Sequence, residues 1–169
     1  MIYLIALAAV VIYVVATYND LVSLKARIAA SIQEIGNQLK RQVELIPNLE
    51  ASVKGYLKHE KDILKMLAEA RKMKDPSKKV AELLPKLQVV VESNPQLKGA
   101  EVVSNLMNEL RDTSDKVMYS RRTLIDLSAD YNIKVTTFPT NLIAGAFGFK
   151  SEKGFAVSEE DKETPKVSF

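Results

Sequence analysis

The 169-residue chain contains no cysteine and a single histidine. The first absence removes disulfides, cysteine-ligated zinc, iron–sulfur clusters and thiol catalysis. The second leaves His59 with only Glu60 and Asp62 close by, whereas a metal site needs ligands at i, i+3 or i+4 on one face. His59 is therefore expected to be a solvent-facing residue on a charged helix. The strings that cradle phosphates or seat a serine nucleophile (GxxxxGK[ST], GxGxxG and GxSxG) are missing as well. The paired carboxylates Glu159 and Glu160 fall in a polar tail, where nothing would exclude water or shift a pKa. No catalytic residue, cofactor or metal ligand is predicted, and no enzymatic activity.

Charge is missing from the start of the chain. The first charged side chain is Asp20 and the first basic one is Lys25. Between Ile2 and Thr17 stand nine Ile, Leu or Val residues, with Tyr3, Tyr13 and Tyr18 towards the ends. As a helix this run spans roughly 25 Å, a little under the ~30 Å hydrocarbon core but within the range that crosses a bilayer. Nine aliphatic residues at about −0.3 to −0.6 kcal/mol each favour insertion by a few kcal/mol. A cleaved signal peptide would carry a basic leading region, and a pilin-like start a processed basic leader and an early glutamate. Neither pattern is present, so residues 1–18 read as an uncleaved transmembrane anchor. Lys25 and Arg27 follow the run and no basic side chain precedes it, which by the positive-inside rule puts the N-terminus outside and the folded body in the cytoplasm.

Glycine and proline are scarce, six of each, and they punctuate long helical patterns. Residues Leu21, Leu24, Ile28, Ile32, Ile35, Leu39, Val43 and Ile46 recur with a period near 3.5, the seam of a packed helix. The same phase runs on through Leu49, Val53, Tyr56, Ile63 and Leu67, which predicts one helix to about Lys72 with a kink at Pro47. Lys74-Asp75-Pro76-Ser77 ends it, and Ser93-Asn94-Pro95 closes a shorter helix marked by Val80, Leu83, Leu84, Leu87 and Val91. A third pattern follows with Val102, Val103, Leu106, Leu110, Val117, Leu124, Leu127 and Tyr131. The expectation is an all-α protein: a transmembrane helix continuing into a long antiparallel bundle of three or four helices over residues 19–135. Residues 136–169 then form an apolar strap and an extended polar tail.

Two surfaces are candidate interaction sites. Lys40, Arg41, Pro47 and Asn48 surround the proline; here Asn48 or a neighbour would satisfy backbone freed by Pro47, or the kink would centre a binding surface. In the strap, Phe138, Leu142, Ile143, Phe147 and Phe149 would cover an apolar groove of the bundle as an extended segment. Alternatively they would meet a membrane partner or an identical subunit. Between Lys40 and Lys79 eleven Lys or Arg face six Asp or Glu, both signs interspersed. This reads as a solvated helix face, and no nucleic acid is expected.

Three segments carry a resemblance: YNDLVSLKARIAASIQEIGNQLKRQVELIPNL from Tyr18, VKGYLKHEKDILKMLAEAR from Val53, and YNIKVTTFPTNLIAGAFGFK from Tyr131, closing with PKVSF. In this order they resemble the LemA family of bacterial and archaeal membrane proteins. The resemblance implies a single N-terminal membrane helix, an antiparallel helical bundle and no established catalytic activity; some relatives are associated with organising magnetosome membranes. The expected role is a membrane-anchored scaffold or adaptor, or else a self-assembling subunit forming a lattice, ring or filament. Its expected partners are the lipid bilayer, a second copy and a membrane protein that the sequence does not name.

Overall fold

The computed structural model describes residues 1–57 and 60–152, and among these no strand occurs. His59, Glu159, Glu160 and the closing PKVSF lie outside the described residues. Six helices follow in chain order: α1 (Ile2–Lys54), α2 (Lys61–Lys72), α3 (Ser77–Ser93), α4 (Pro95–Lys98), α5 (Glu101–Thr136) and α6 (Thr140–Ala146). They form two compact units, one of residues 32–121 and one combining residues 1–31 with residues 122–152.

In the unit of residues 32–121, one apolar cluster joins all five helices present. Leu45, Ile46, Leu49 and Val53 of α1 meet Leu67, Leu83, Leu87, Leu97, Met107 and Leu110. Local chemistry sets the helix ends. The Asp75 carboxylate accepts the Ser77 amide at 3.1 Å, turning the chain into α3. Asn94 accepts from the amides of Gln96 and Leu97 at 3.1 and 3.4 Å, capping α4 with Pro95 in the first turn. Pro47 and Pro85 lie inside α1 and α3, and neither breaks its helix.

The long helix expected to reach Lys72 stops instead at Lys54. Past that point the Val53 carbonyl accepts both the Tyr56 and Leu57 amides, at 2.9 and 3.0 Å, and the chain turns. Leu57 is buried in this turn while Tyr56, placed in the seam by its phase, is exposed. The apolar phase carried across the turn because α2 buries Ile63 and Leu67 against the same cluster.

The seam of α1 is kept at every predicted position but one: Leu21, Leu24, Ile28, Ile35, Ile46, Leu49 and Val53 are buried, Leu39 and Val43 are half-buried, and Ile32 is 54% exposed. Two glutamines join it, Gln38 half-buried and Gln42 buried, in a 3–4 alternation with Ile35, Leu45 and Leu49. Gln42 is fully buried, and its amide donates to Ser114 Oγ at 3.1 Å. On α5, Thr113 occupies a similar buried position and turns its hydroxyl back to the Leu110 carbonyl at 2.8 Å. Val102, expected in the third seam, is exposed, and Val103 takes the buried position.

In the second unit, Leu21, Leu24 and Ile28 of α1 and Leu124, Leu127 and Tyr131 of α5 are buried, together with Ile143 and Ala144 of α6. An ion pair joins Asp20 to Lys134, and a second joins Lys25 to Glu152 at 3.6 Å. The strap expected to be extended contains α6. The Thr140 hydroxyl donates to the Lys134 and Thr137 carbonyls, so the end of α5 and the start of α6 are tied together. Gly148, at φ +75°, supplies the left-handed residue that ends the segment, and the Phe149 amide returns to the Ala144 carbonyl at 2.9 Å.

Candidate functional site

The feature that sets this chain apart is the outer surface of α1. From Ile2 to Val15 every Ile, Leu and Val except the half-buried Val14 is exposed, and Thr17 is the first buried residue. Each such side chain left in water forgoes roughly 1.5–3 kcal/mol of transfer free energy. A run this long with so little of it buried is long and apolar enough to cross a membrane. The first helix is therefore polarised along its length, apolar on all sides at one end and apolar on a single stripe at the other.

Of the strap residues, Ile143 is buried and Phe149 half-buried. Phe138, Leu142 and Phe147 are 74%, 64% and 54% exposed, contrary to the expected cover over an apolar groove. The helical path of α6 is the reason, since turning one side inward to bury Ile143 and Ala144 turns Leu142 outward. The Phe147 and Phe149 rings instead gather around Tyr18 of α1, with centroids 4.9 and 5.6 Å away in tilted and edge-on arrangements.

Around Pro47, Lys40, Arg41 and Asn48 are exposed and Pro47 is half-buried. Arg41 pairs with Glu109 of α5 at 3.5 Å, and the Asn48 carbonyl accepts the Ser52 hydroxyl at 2.8 Å. Spacing puts Lys40, Glu44 and Asn48 along one outward line of α1. They border a polar surface and enclose no cavity.

The perturbed titratable groups have structural causes. Burial raises the Asp75 carboxyl, but the Ser77 hydroxyl and amide and the Arg121 charge outweigh it and hold the group below its ordinary range. Glu69 is lowered and Lys79 raised chiefly by the hydrogen bond between them, at 2.8 Å. Burial first, then the Glu152 charge, raises the Tyr131 phenol. An open groove of about 410 Å³ lies against Gln88, Glu92, Lys98, Asn108 and Arg111, and none of the perturbed groups lines it. Among the described residues no cluster of three His, Cys, Asp or Glu could hold a metal ion.

Sequence reasoning missed the buried glutamine and the aromatic cluster. Gln42 stands seven residues from both Ile35 and Leu49, a heptad register that identifies it as inward despite its polarity. Tyr18 pairs with side chains far along the chain, which no local pattern reveals.

Together these features define an all-helical, membrane-directed protein whose apolar anchor runs directly into a helical bundle. The chain belongs to the LemA family, whose model matches residues 31–169. It is also similar to Magnetosome protein MamQ of Magnetospirillum gryphiswaldense, with 29% identity over 72 residues, 43% of this chain and 26% of that protein. The chain thus matches about a quarter of that relative's length.

Proposed function

We propose that this protein is a non-enzymatic, single-pass scaffold or adaptor that holds a helical bundle against a bacterial or archaeal cell membrane. The observation that carries the reading is the change in character within α1, from an apolar surface on all sides before Thr17 to a single buried stripe after Leu21. The similarity to a protein named for the magnetosome supports the membrane setting. Lys25 and Arg27 favour a cytoplasmic bundle with the N-terminus outside.

Impermeant thiol labelling in intact cells tests the orientation, because the chain has no cysteine of its own. A cysteine at Met118, exposed on α5, is expected to resist the reagent until the cells are opened. Ready labelling in intact cells would reverse the topology.

A self-assembling subunit is the second reading, favoured by the exposed Ile32 of α1 and Met118 and Tyr119 of α5. Sizing the detergent-solubilised protein separates the two. A uniform monomer supports the adaptor, and a large homogeneous particle supports the assembly.

A further inference from the structure

We propose that the exposed face of α6 and its flanking turns is a second membrane contact, a monotopic wedge of Phe138, Leu142 and Phe147 that enters the lipid interface beside the anchor. The inference rests on the anchor reading and extends it to a segment far away in sequence.

Two stretches of the chain are free of charge, the one before Asp20 and the one from Val135 to Phe149. The fold brings them together. Tyr18, at the end of the first, stacks with Phe147 and Phe149 of the second. Charge resumes on both at the same place, because Asp20 pairs with Lys134, and Lys25 with Glu152 just after the second stretch. A boundary shared by two distant segments is what an interface between lipid and water imposes.

The length of the anchor points the same way. Ile2–Thr17 spans about 25 Å against a hydrocarbon core of about 30 Å, so the residues that follow are drawn to the interface rather than held clear of it. Tyr18 and the phenylalanines are the side chains suited to that depth. Within α6 itself, Ile143 and Ala144 fix one side to the protein, while the opposite side presents Leu142 with Phe138 and Phe147 around it. An uncharged element held to the protein by one side and apolar on the other is suited to lie in the interface plane, with its outward side several ångströms into the headgroup boundary. Continuity with the anchor and the lack of any charge in the stretch select lipid as the occupant.

The test uses the full chain with single cysteines, each carrying a fluorophore, in vesicles of phosphatidylethanolamine and phosphatidylglycerol with bromine atoms near the top of the acyl chains for the α6 segment, near the chain ends for Val10, or with none. The labelled variants are Phe138→Cys, Leu142→Cys and Phe147→Cys, with Val10→Cys in the anchor. Ile125→Cys is the exposed comparison, on α5 in the same unit and roughly 13 Å before Lys134 along the helix. Quenching about threefold or more above Ile125→Cys is expected at all three α6-segment sites, as for a side chain at the acyl boundary. Strong quenching at Val10→Cys with none above the comparison at the three sites overturns the wedge and leaves the anchor standing. Absent quenching at Val10→Cys overturns the anchor reading and the wedge with it. Label-to-label proximity at Leu142→Cys without lipid quenching also overturns the wedge, assigning the face to a second copy. All these positions are exposed, so circular dichroism matching the parent chain is expected for each variant.

Discussion

The two compact units bury the same kinds of residue and differ in what they present outward. In residues 32–121 many outward side chains are charged, some of them in pairs such as Lys79–Glu69, Lys116–Asp112 and Arg41–Glu109, and the exposed apolar ones are scattered. In the unit containing the N-terminus, the outward side chains include the Ile2–Val15 run apart from Val14 and, from the other end of the chain, Phe138, Leu142 and Phe147. Both units have an apolar interior, so interior composition does not distinguish them. The outer surface does. An exposed aliphatic side chain is ordinary when single and informative when contiguous.

The largest expected effect removes the contrast altogether. Deleting Ile2–Thr17 is expected to move the protein from the membrane to the soluble fraction with its helicity beyond residue 18 intact, read by carbonate extraction and circular dichroism. Retention in the carbonate pellet would show that the Ile2–Thr17 run is not the anchor. Next in size is a pair of substitutions within the charged-surface unit. Ile35→Asp places a carboxylate in the buried seam and is expected to abolish cooperative folding, whereas Ile32→Asp, one turn away and exposed, is expected to change stability by less than about 0.5 kcal/mol. Equal thermal stability of the two would reject the seam described for α1. If Ile32→Asp alone shrinks the solubilised particle, it exposes a subunit contact.

Leu110→Ala, at a fully buried site of α5, is expected to cost about 2–5 kcal/mol in denaturant unfolding. The same truncation at Leu142 is expected to cost well under about 1 kcal/mol in detergent, since Leu142 is exposed. The smallest effect is electrostatic. The Asp75 carboxyl titrates below its ordinary 3.8 in the folded protein, so its contribution is present above that value and is lost as pH falls through the lower folded value. With half of the side chain open to water, Asp75→Asn is expected to cost less than about 1 kcal/mol at neutral pH, and nothing once the wild-type carboxyl is protonated. A difference that persisted unchanged at acid pH would assign the effect to geometry rather than charge.

Much of this architecture can be read in the residues themselves. The anchor, the α3 pattern from Val80 to Val91 and the stop at Asn94-Pro95 are local, and the structure keeps them. The end of α1 was not legible, because Ile63 and Leu67 continue the apolar phase across a turn whose only local mark is Gly55. The seam was legible except at Ile32 and Gln42, and there for a different reason. Counting only apolar residues selects Ile32 over the polar positions between Ile28 and Leu45, although buried Gln42 finds a partner in Ser114. For the candidate site, the apolarity of Phe138–Phe149 was visible and its direction was not. Whether such a segment covers a core or faces outward depends on which side Ile143 and Ala144 bury, a fact of tertiary packing.

Asn132 gives the segment around α6 a property that its contacts alone do not convey. The carboxamide donates to the Glu152 carbonyl at 2.8 Å and accepts the Glu152 amide at 2.9 Å, holding that residue by both its backbone polar groups. Everything between Asn132 and Glu152 is thereby a closed ring in which α6 sits. Ring closure costs conformational entropy once, on folding, and grows only slowly with ring size. A ligand cyclised in its bound shape owes its affinity to the same device, because little freedom remains to be lost when it binds. The apolar face of α6 thus meets its surroundings already shaped, with its ordering completed by the fold.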